Sequence, residues 1–171
     1  MAERDEQTLE ERQEIARRYR ERRGSELREL AASGAGGDVE AAGEFSGVPT
    51  EALAAIPVLG MFTVPWARMR ARRAGMPVSV LVAIDAGEVH LLERTKEEER
   101  PVAKPWLSFP RESVRVLSMR KGFMREVIEL DVPDREEPLV LYAPSLRTNP
   151  WSAEVVRLLG GEAPEPLDLG S

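Results

Sequence analysis

The chain contains no cysteine, which excludes a disulfide framework, thiolate metal ligation and a cysteine nucleophile. It has one histidine, His90, set between Val89 and Leu91. On a strand it is expected to face away from those two, toward solvent, and a lone imidazole does not assemble a zinc site. No cofactor and no metal is therefore expected. The longest uncharged run, residues 52–67, is sixteen residues and is interrupted by Pro57, Gly60 and Pro65. A spanning helix needs about twenty apolar residues, so a membrane crossing is not expected there. The first fourteen residues carry charge throughout and lack the apolar core of a secretory signal, so a cytoplasmic location is expected.

Catalytic patterns are also missing. The acidic runs Glu97-Glu98-Glu99 and Glu136-Glu137 fall in predicted turns, which offer neither the burial nor the crowding in a cleft that a carboxylate acid–base pair needs. Ser108, Ser113 and Ser118 carry no nucleophile-elbow glycines and no histidine partner in the sequence, so no enzyme is expected.

What is present is a single domain's worth of apolar residues with charged flanks: 171 residues, 42% hydrophobic and 32% charged. The net charge of −6 argues against nucleic acid as a partner. That charge is uneven, at −4 over residues 1–47, +3 over 48–77 and −5 over 78–171. Only the middle segment is basic.

The best-defined pattern is residues 78–93, VSVLVAIDAGEVHLLE. Val78, Val80, Val82 and Ile84 alternate onto one strand face, residues 85–88 supply turn chemistry, and Val89 and Leu91 carry the return strand. Beyond it, residues 95–104 read as a charged loop and Trp106 to Phe109 as a short third strand. Residues 113–119, 125–132 and 139–143 read as strands four to six, with turns at 120–122 and 133–138. The closing element is a helix: Asn149 is an expected N-cap, Pro150 suits the first position, and Gly160 stands just past the last apolar residue. Trp151, Val155, Leu158 and Leu159 share its apolar face.

Upstream, residues 1–32 read as a charged helix, in which Leu9, Ile15, Ala16, Tyr19, Leu27, Leu30 and Ala31 form a thin stripe. Self-association through residues 4–32 is one expectation for it, although no clean heptad runs through it. Residues 33–47 hold five glycines in fifteen and read as a flexible linker. Residues 48–75 are an apolar segment followed by an arginine cluster, and 161–171 a loose tail.

The run 74–93 resembles the opening hairpin of bacterial pleckstrin-homology-like (PH-like) domains, with Ala83-Ile84-Asp85 leading into the turn. The run 105–122 is similar to their third and fourth strands, and Phe109-Pro110-Arg111 to the step between them. Such domains occur in actinobacterial proteins that carry an arginine-rich apolar segment ahead of the same β-unit. The resemblance spans residues 76–160 and implies an α+β fold: an antiparallel PH-like sandwich or barrel closed by a C-terminal helix, with the polar N-terminal helix separate. In lipid-binding members the first hairpin loop is basic. Here it is Asp85-Ala86-Gly87-Glu88, whose two carboxylates repel a phosphate head group.

The function expected from these readings is a non-enzymatic interaction module for a protein or peptide partner. Its candidate contact residues are Arg115, Arg120, Lys121, Phe123, Met124 and Arg125, a basic edge with apolar neighbours. The alternative is peripheral attachment to the inner face of a membrane through residues 52–73, with Phe62, Trp66, Arg68, Arg70, Arg72 and Arg73 as contacts.

Overall fold

The computed structural model describes residues 2–48, 75–121 and 125–165, with side chains from residue 11 onward. The described residues form helix α1 (Ala2–Ala35), strands β1 (Ala41–Ser46), β2 (Ser79–Ile84), β3 (Glu88–Glu97), β4 (Arg100–Pro110), β5 (Arg115–Lys121), β6 (Glu126–Asp131) and β7 (Leu139–Ala143), and helix α2 (Pro150–Leu158). All strand neighbours are antiparallel, in the order β4-β3-β2-β1-β7-β6-β5. Two meanders, β1 to β4 and β5 to β7, meet where β1 lies beside β7. The sheet is not closed, and the α+β class stands as expected. The arrangement is compatible with a PH-like fold.

The alternation read in β2 is the organising feature. Val80, Val82 and Ile84 join Val89, Leu91, Ile128, Leu130, Leu141, Val155 and Leu159 in one core, between the sheet and α2. Leu81 and Ala83 point the other way, into a second core with Leu27, Ala31, Ala42, Leu92 and Ala103. Both faces of β2 are thus covered, and Leu81 through Ile84 are at most 1% exposed. Burying a leucine such as Leu27 contributes about 2 kcal/mol, so the second core firmly docks the C-terminal half of α1 on the sheet.

Residues 33–47 are not a linker. Helix α1 runs through Ala35, and Ala41–Ser46 is the central strand of the sheet, paired with β2 from Ala41↔Ile84 to Ser46↔Ser79. The glycines there are explained by packing rather than flexibility. A Cβ on Gly34 would lie 2.9 Å from that of Ala103, so only glycine lets α1 approach β4.

The charged stretch 95–104 is also not a loop. It is the distal half of the β3–β4 hairpin, turned by Glu98 and Glu99 at φ of 47° and 65°. Two successive positive φ values are the mark of the tight hairpin turn that matches strand twist. Lys104 bonds Glu97 across the pair at 2.6 Å, so opposite charges hold a hairpin that has little apolar face.

Helix α2 begins at Pro150 as expected, but Asn149 does not cap it. Its side-chain N–H groups donate to Ser145 O at 2.8 Å and Thr148 Oγ1 at 3.1 Å. Gly160 takes a φ of +81° after the helix, as its position implies.

Candidate peptide-binding groove

The site begins with a break in hydrogen bonding at the centre of the sheet. Among the described residues, β1 and β7 share one registered pair, Ser46↔Tyr142. Backbone groups alternate sides along a strand, so the N–H and C=O of Glu44 and Ala42 face the same way as those of Ser46, toward β7. β7 does not reach them. Ser152 of α2 takes its place at Glu44, where its hydroxyl donates to Glu44 O at 3.1 Å and accepts from Glu44 N at 3.1 Å. The helix enters closely enough that a Cβ on Gly43 would lie 2.8 Å from Ser152 Cα.

One step further along β1, Ala42 borders a groove of about 230 Å³. Arg20, Glu21, Gly24 and Arg28 of α1 form one wall, and Pro150, Trp151 and Glu154 of α2 the other. The indole Nε1 of Trp151 is buried and has no hydrogen-bond partner among the described residues. A buried N–H without an acceptor costs about 1–3 kcal/mol, so such groups are few in folded proteins.

The charges on the rim are mostly engaged. Glu40 accepts from Arg111 at 2.5 Å, and Glu154 from Arg157 at 2.5 Å. Gly24 is a further clue. It lies inside α1, where glycine costs about 1 kcal/mol relative to alanine. A Cβ there would meet nothing within 4 Å, so packing does not require the glycine. It lines the groove, which is open at that point of the wall.

Behind the groove, Glu44 fixes α1 in place. Its Oε1 accepts from Arg23 of α1 at 2.5 Å and from Arg94 of β3, with all three side chains 23–28% exposed. Arg23 and Arg94 thus bind the helix wall to the sheet through a single carboxylate.

Of the residues expected to form a basic edge, Arg115, Arg120 and Lys121 lie on β5. Arg115 bonds Asp131 at 2.9 Å and Arg120 bonds Glu129 at 2.5 Å, both across to β6. These pairs neutralise the two arginines along the strand. Ser118 and Arg120 together hold the Glu129 carboxyl below its ordinary pKa. Lys121 is exposed, whereas Arg125 is 6% exposed, with Nη1 3.4 Å from Val48 O. Arg125 therefore belongs to the interior and not to a surface patch. The β5 edge is partly closed as well, since Val116 N donates to Leu159 O at 2.9 Å and a bulge interrupts the ladder between Val116 and Ser118. Phe123 and Met124 lie outside the described residues, as do Phe62, Trp66, Arg68, Arg70, Arg72 and Arg73.

His90 departs from expectation. It is 6% exposed, with Nε2 2.9 Å from Asp85 Oδ2 and Nδ1 2.9 Å from Ser108 Oγ. The histidine bond, with the N–H groups of Gly87 and Glu88, draws the Asp85 carboxyl down to about 2. An ionised Asp85 accepts only, so His90 Nε2 carries a proton and donates it to that bond. Ser108 therefore does have a histidine partner, supplied by the Ser108↔His90 register of β4 on β3. Arg111 extends the cluster by donating to Asp85 O at 3.1 Å and joins it to Glu40 at the groove rim. The signal for this cluster was a histidine on a strand five residues after the turn's first aspartate.

Among the described residues no group of three or more histidines and carboxylates is placed to hold a metal ion, and no helix is long and apolar enough to cross a membrane. No protein-family model matches the chain, and no curated protein matches it in sequence.

Proposed function

We propose that the chain is a non-enzymatic interaction module, built on a PH-like domain, that binds an extended peptide segment of a partner protein in the groove between α1, β1 and α2. The order of two meanders meeting at β1 and β7, with a C-terminal helix filling the corner, supports the PH-like reading. The observation that carries the peptide reading is the side of β1 at Ala42 that β7 does not cover, next to the partnerless Trp151 indole. An added strand supplies a carbonyl and an N–H to a free strand side, and a further carbonyl within reach of an indole donor. The rim carries cations and acids in near balance, which favours main-chain recognition over capture of a strongly charged ligand.

The test uses a random dodecapeptide phage library panned on the full chain and on its Gly24→Leu and Gly24→Ala variants. Leucine at 24 fills the groove, while alanine adds one methyl in open space and should stabilise α1 by about 0.5–1 kcal/mol. The expected result is a set of peptides retained by the native chain and by Gly24→Ala but lost with Gly24→Leu. Peptides that bind Gly24→Leu as well as the native chain would place the contact elsewhere.

A further inference from the structure

Helix α1 is 34 residues long, but the sheet uses only part of it. The contacts that dock it include Arg23, Leu27, Leu30, Ala31 and Gly34. On the preceding turns, Ile15 is 69% exposed and Tyr19 is 54% exposed. Four residues apart, they lie one above the other on a single helix face. Among the described residues, the other large apolar side chain this exposed is Leu117 at the β5 bulge.

The charge along this half of the helix is ordered. Residues 3–14 contain six acids and two arginines, and residues 15–23 contain five arginines and one acid. Acids near a helix N-terminus suit the macrodipole, but that effect fades within the first turn and gives no reason for an arginine block in the middle. Arg17 and Arg18 pair with Glu14, Arg22 and Arg23 with Glu26, and Arg23 also with Glu44 of β1, which together engage much of that charge. The block order remains. Read in reverse, it is its own complement: an antiparallel second copy sets the acids of 3–14 beside the arginines of 15–22 twice over, with Ile15 near the crossing. A two-fold axis makes one patch complementary to itself, which no parallel pairing of this segment does.

We propose that two copies of the chain pair antiparallel through residues 3–22 of α1, with Ile15 close to the two-fold axis and Tyr19 a turn further out. This shortens the self-association stretch expected from sequence, because residues 23–34 face their own sheet. The seam is narrow and exposed ion pairs contribute little each, so the dimer is weak and salt-sensitive. The groove lies on the docked side of α1 and stays open in such a pair.

Sedimentation equilibrium of the full chain tests this, at low salt and at high salt. The expected result is a monomer–dimer equilibrium in the micromolar range that shifts toward monomer by at least tenfold in high salt. The double variant Ile15→Asp with Tyr19→Asp is expected to be monomeric with unchanged helical circular dichroism. Orientation is read in the cysteine-free background with a short bismaleimide. Ile15→Cys is expected to cross-link to itself, whereas Arg4→Cys is not, since its two copies lie tens of ångströms apart in the antiparallel pair. A native chain that stays monomeric at low salt overturns the proposal, as does equal cross-linking at both positions.

Discussion

Ser152 of α2 exchanges two hydrogen bonds with the backbone of Glu44, standing in for the strand that β7 does not provide. The serine is 0% exposed, so neither backbone group has water as a substitute. Ser152→Ala is therefore expected to lower stability by about 2–3 kcal/mol, more than a surface serine would. Gly43→Ala is expected to cost a similar amount for a different reason, because the new methyl meets Ser152 Cα at 2.8 Å. Urea unfolding of each variant against Ser145→Ala as an exposed control checks both.

Glu44→Gln removes the charge shared by Arg23 and Arg94 and leaves two half-buried guanidiniums facing each other. The expected loss is about 1–3 kcal/mol, directed at the seat of α1. Hydrogen exchange should show faster amides over residues 23–35 while β2 and β3 keep their protection. Uniform loss across the sheet would mean that the helix and sheet unfold together.

Two carboxyls give opposite pH signatures. Asp85 has a folded pKa lowered to about 2, so its stabilisation is fully present above the unfolded value near 4 and fades as pH falls toward 2. Asp85→Asn is expected to destabilise by roughly 1 kcal/mol at pH 7, with the difference closing below pH 4. Glu126 goes the other way. Burial raises its pKa, against the opposing Leu146 N–H and the charges of Lys121 and Arg147. Its ionised form is the penalised one at neutral pH, and Oε2 has no partner among the described residues. Glu126→Gln is expected to raise the melting temperature at pH 7 and to have no effect near pH 3. Thermal melts across pH 3–7 read both.

The Asp85–His90–Ser108 chain has the order of a hydrolase relay, and its bonds also pin the β2–β3 turn to β4. We expect the second role alone. Ser108→Ala should leave labelling by a fluorophosphonate probe unchanged from background while making the turn amides of residues 85–88 exchange faster. Labelling that depends on both Ser108 and His90 would reopen the catalytic reading.

Attachment to a membrane through residues 52–73 remains a separate proposal. Co-sedimentation of the full chain with anionic vesicles is its test. Binding lost on replacing Arg68, Arg70, Arg72 and Arg73 together would support it, and no binding by the native chain would end it.

Much of the fold was legible where burial follows a simple period. Val80, Val82 and Ile84 alternate because one face of β2 meets α2, and Val155 and Leu159 recur because one face of that helix meets the sheet. β1 was hidden because its reading depends on distant residues. Gly43 answers to Ser152, more than a hundred positions away, and Gly34 to Ala103, so composition alone signals flexibility where the fold needs close approach. The long β3–β4 hairpin was hidden for a related reason: opposite charges paired across two strands look like a loop when read along one. His90 was placed in solvent because alternation says which face a side chain takes but not what covers it. The groove was legible only in fragments. Trp151 and Pro150 stood out in the closing helix, while Gly24 and Ala42 gain meaning only once α1 and β1 lie side by side.

The most direct test of the peptide reading is a ¹⁵N–¹H NMR titration of the full chain with the tightest peptide from the library. The account predicts that the Trp151 indole N–H and the Ala42 amide move downfield together, while Arg115 and Lys121 on β5 stay in place. Shifts centred on β5 with Trp151 and Ala42 unmoved would contradict it.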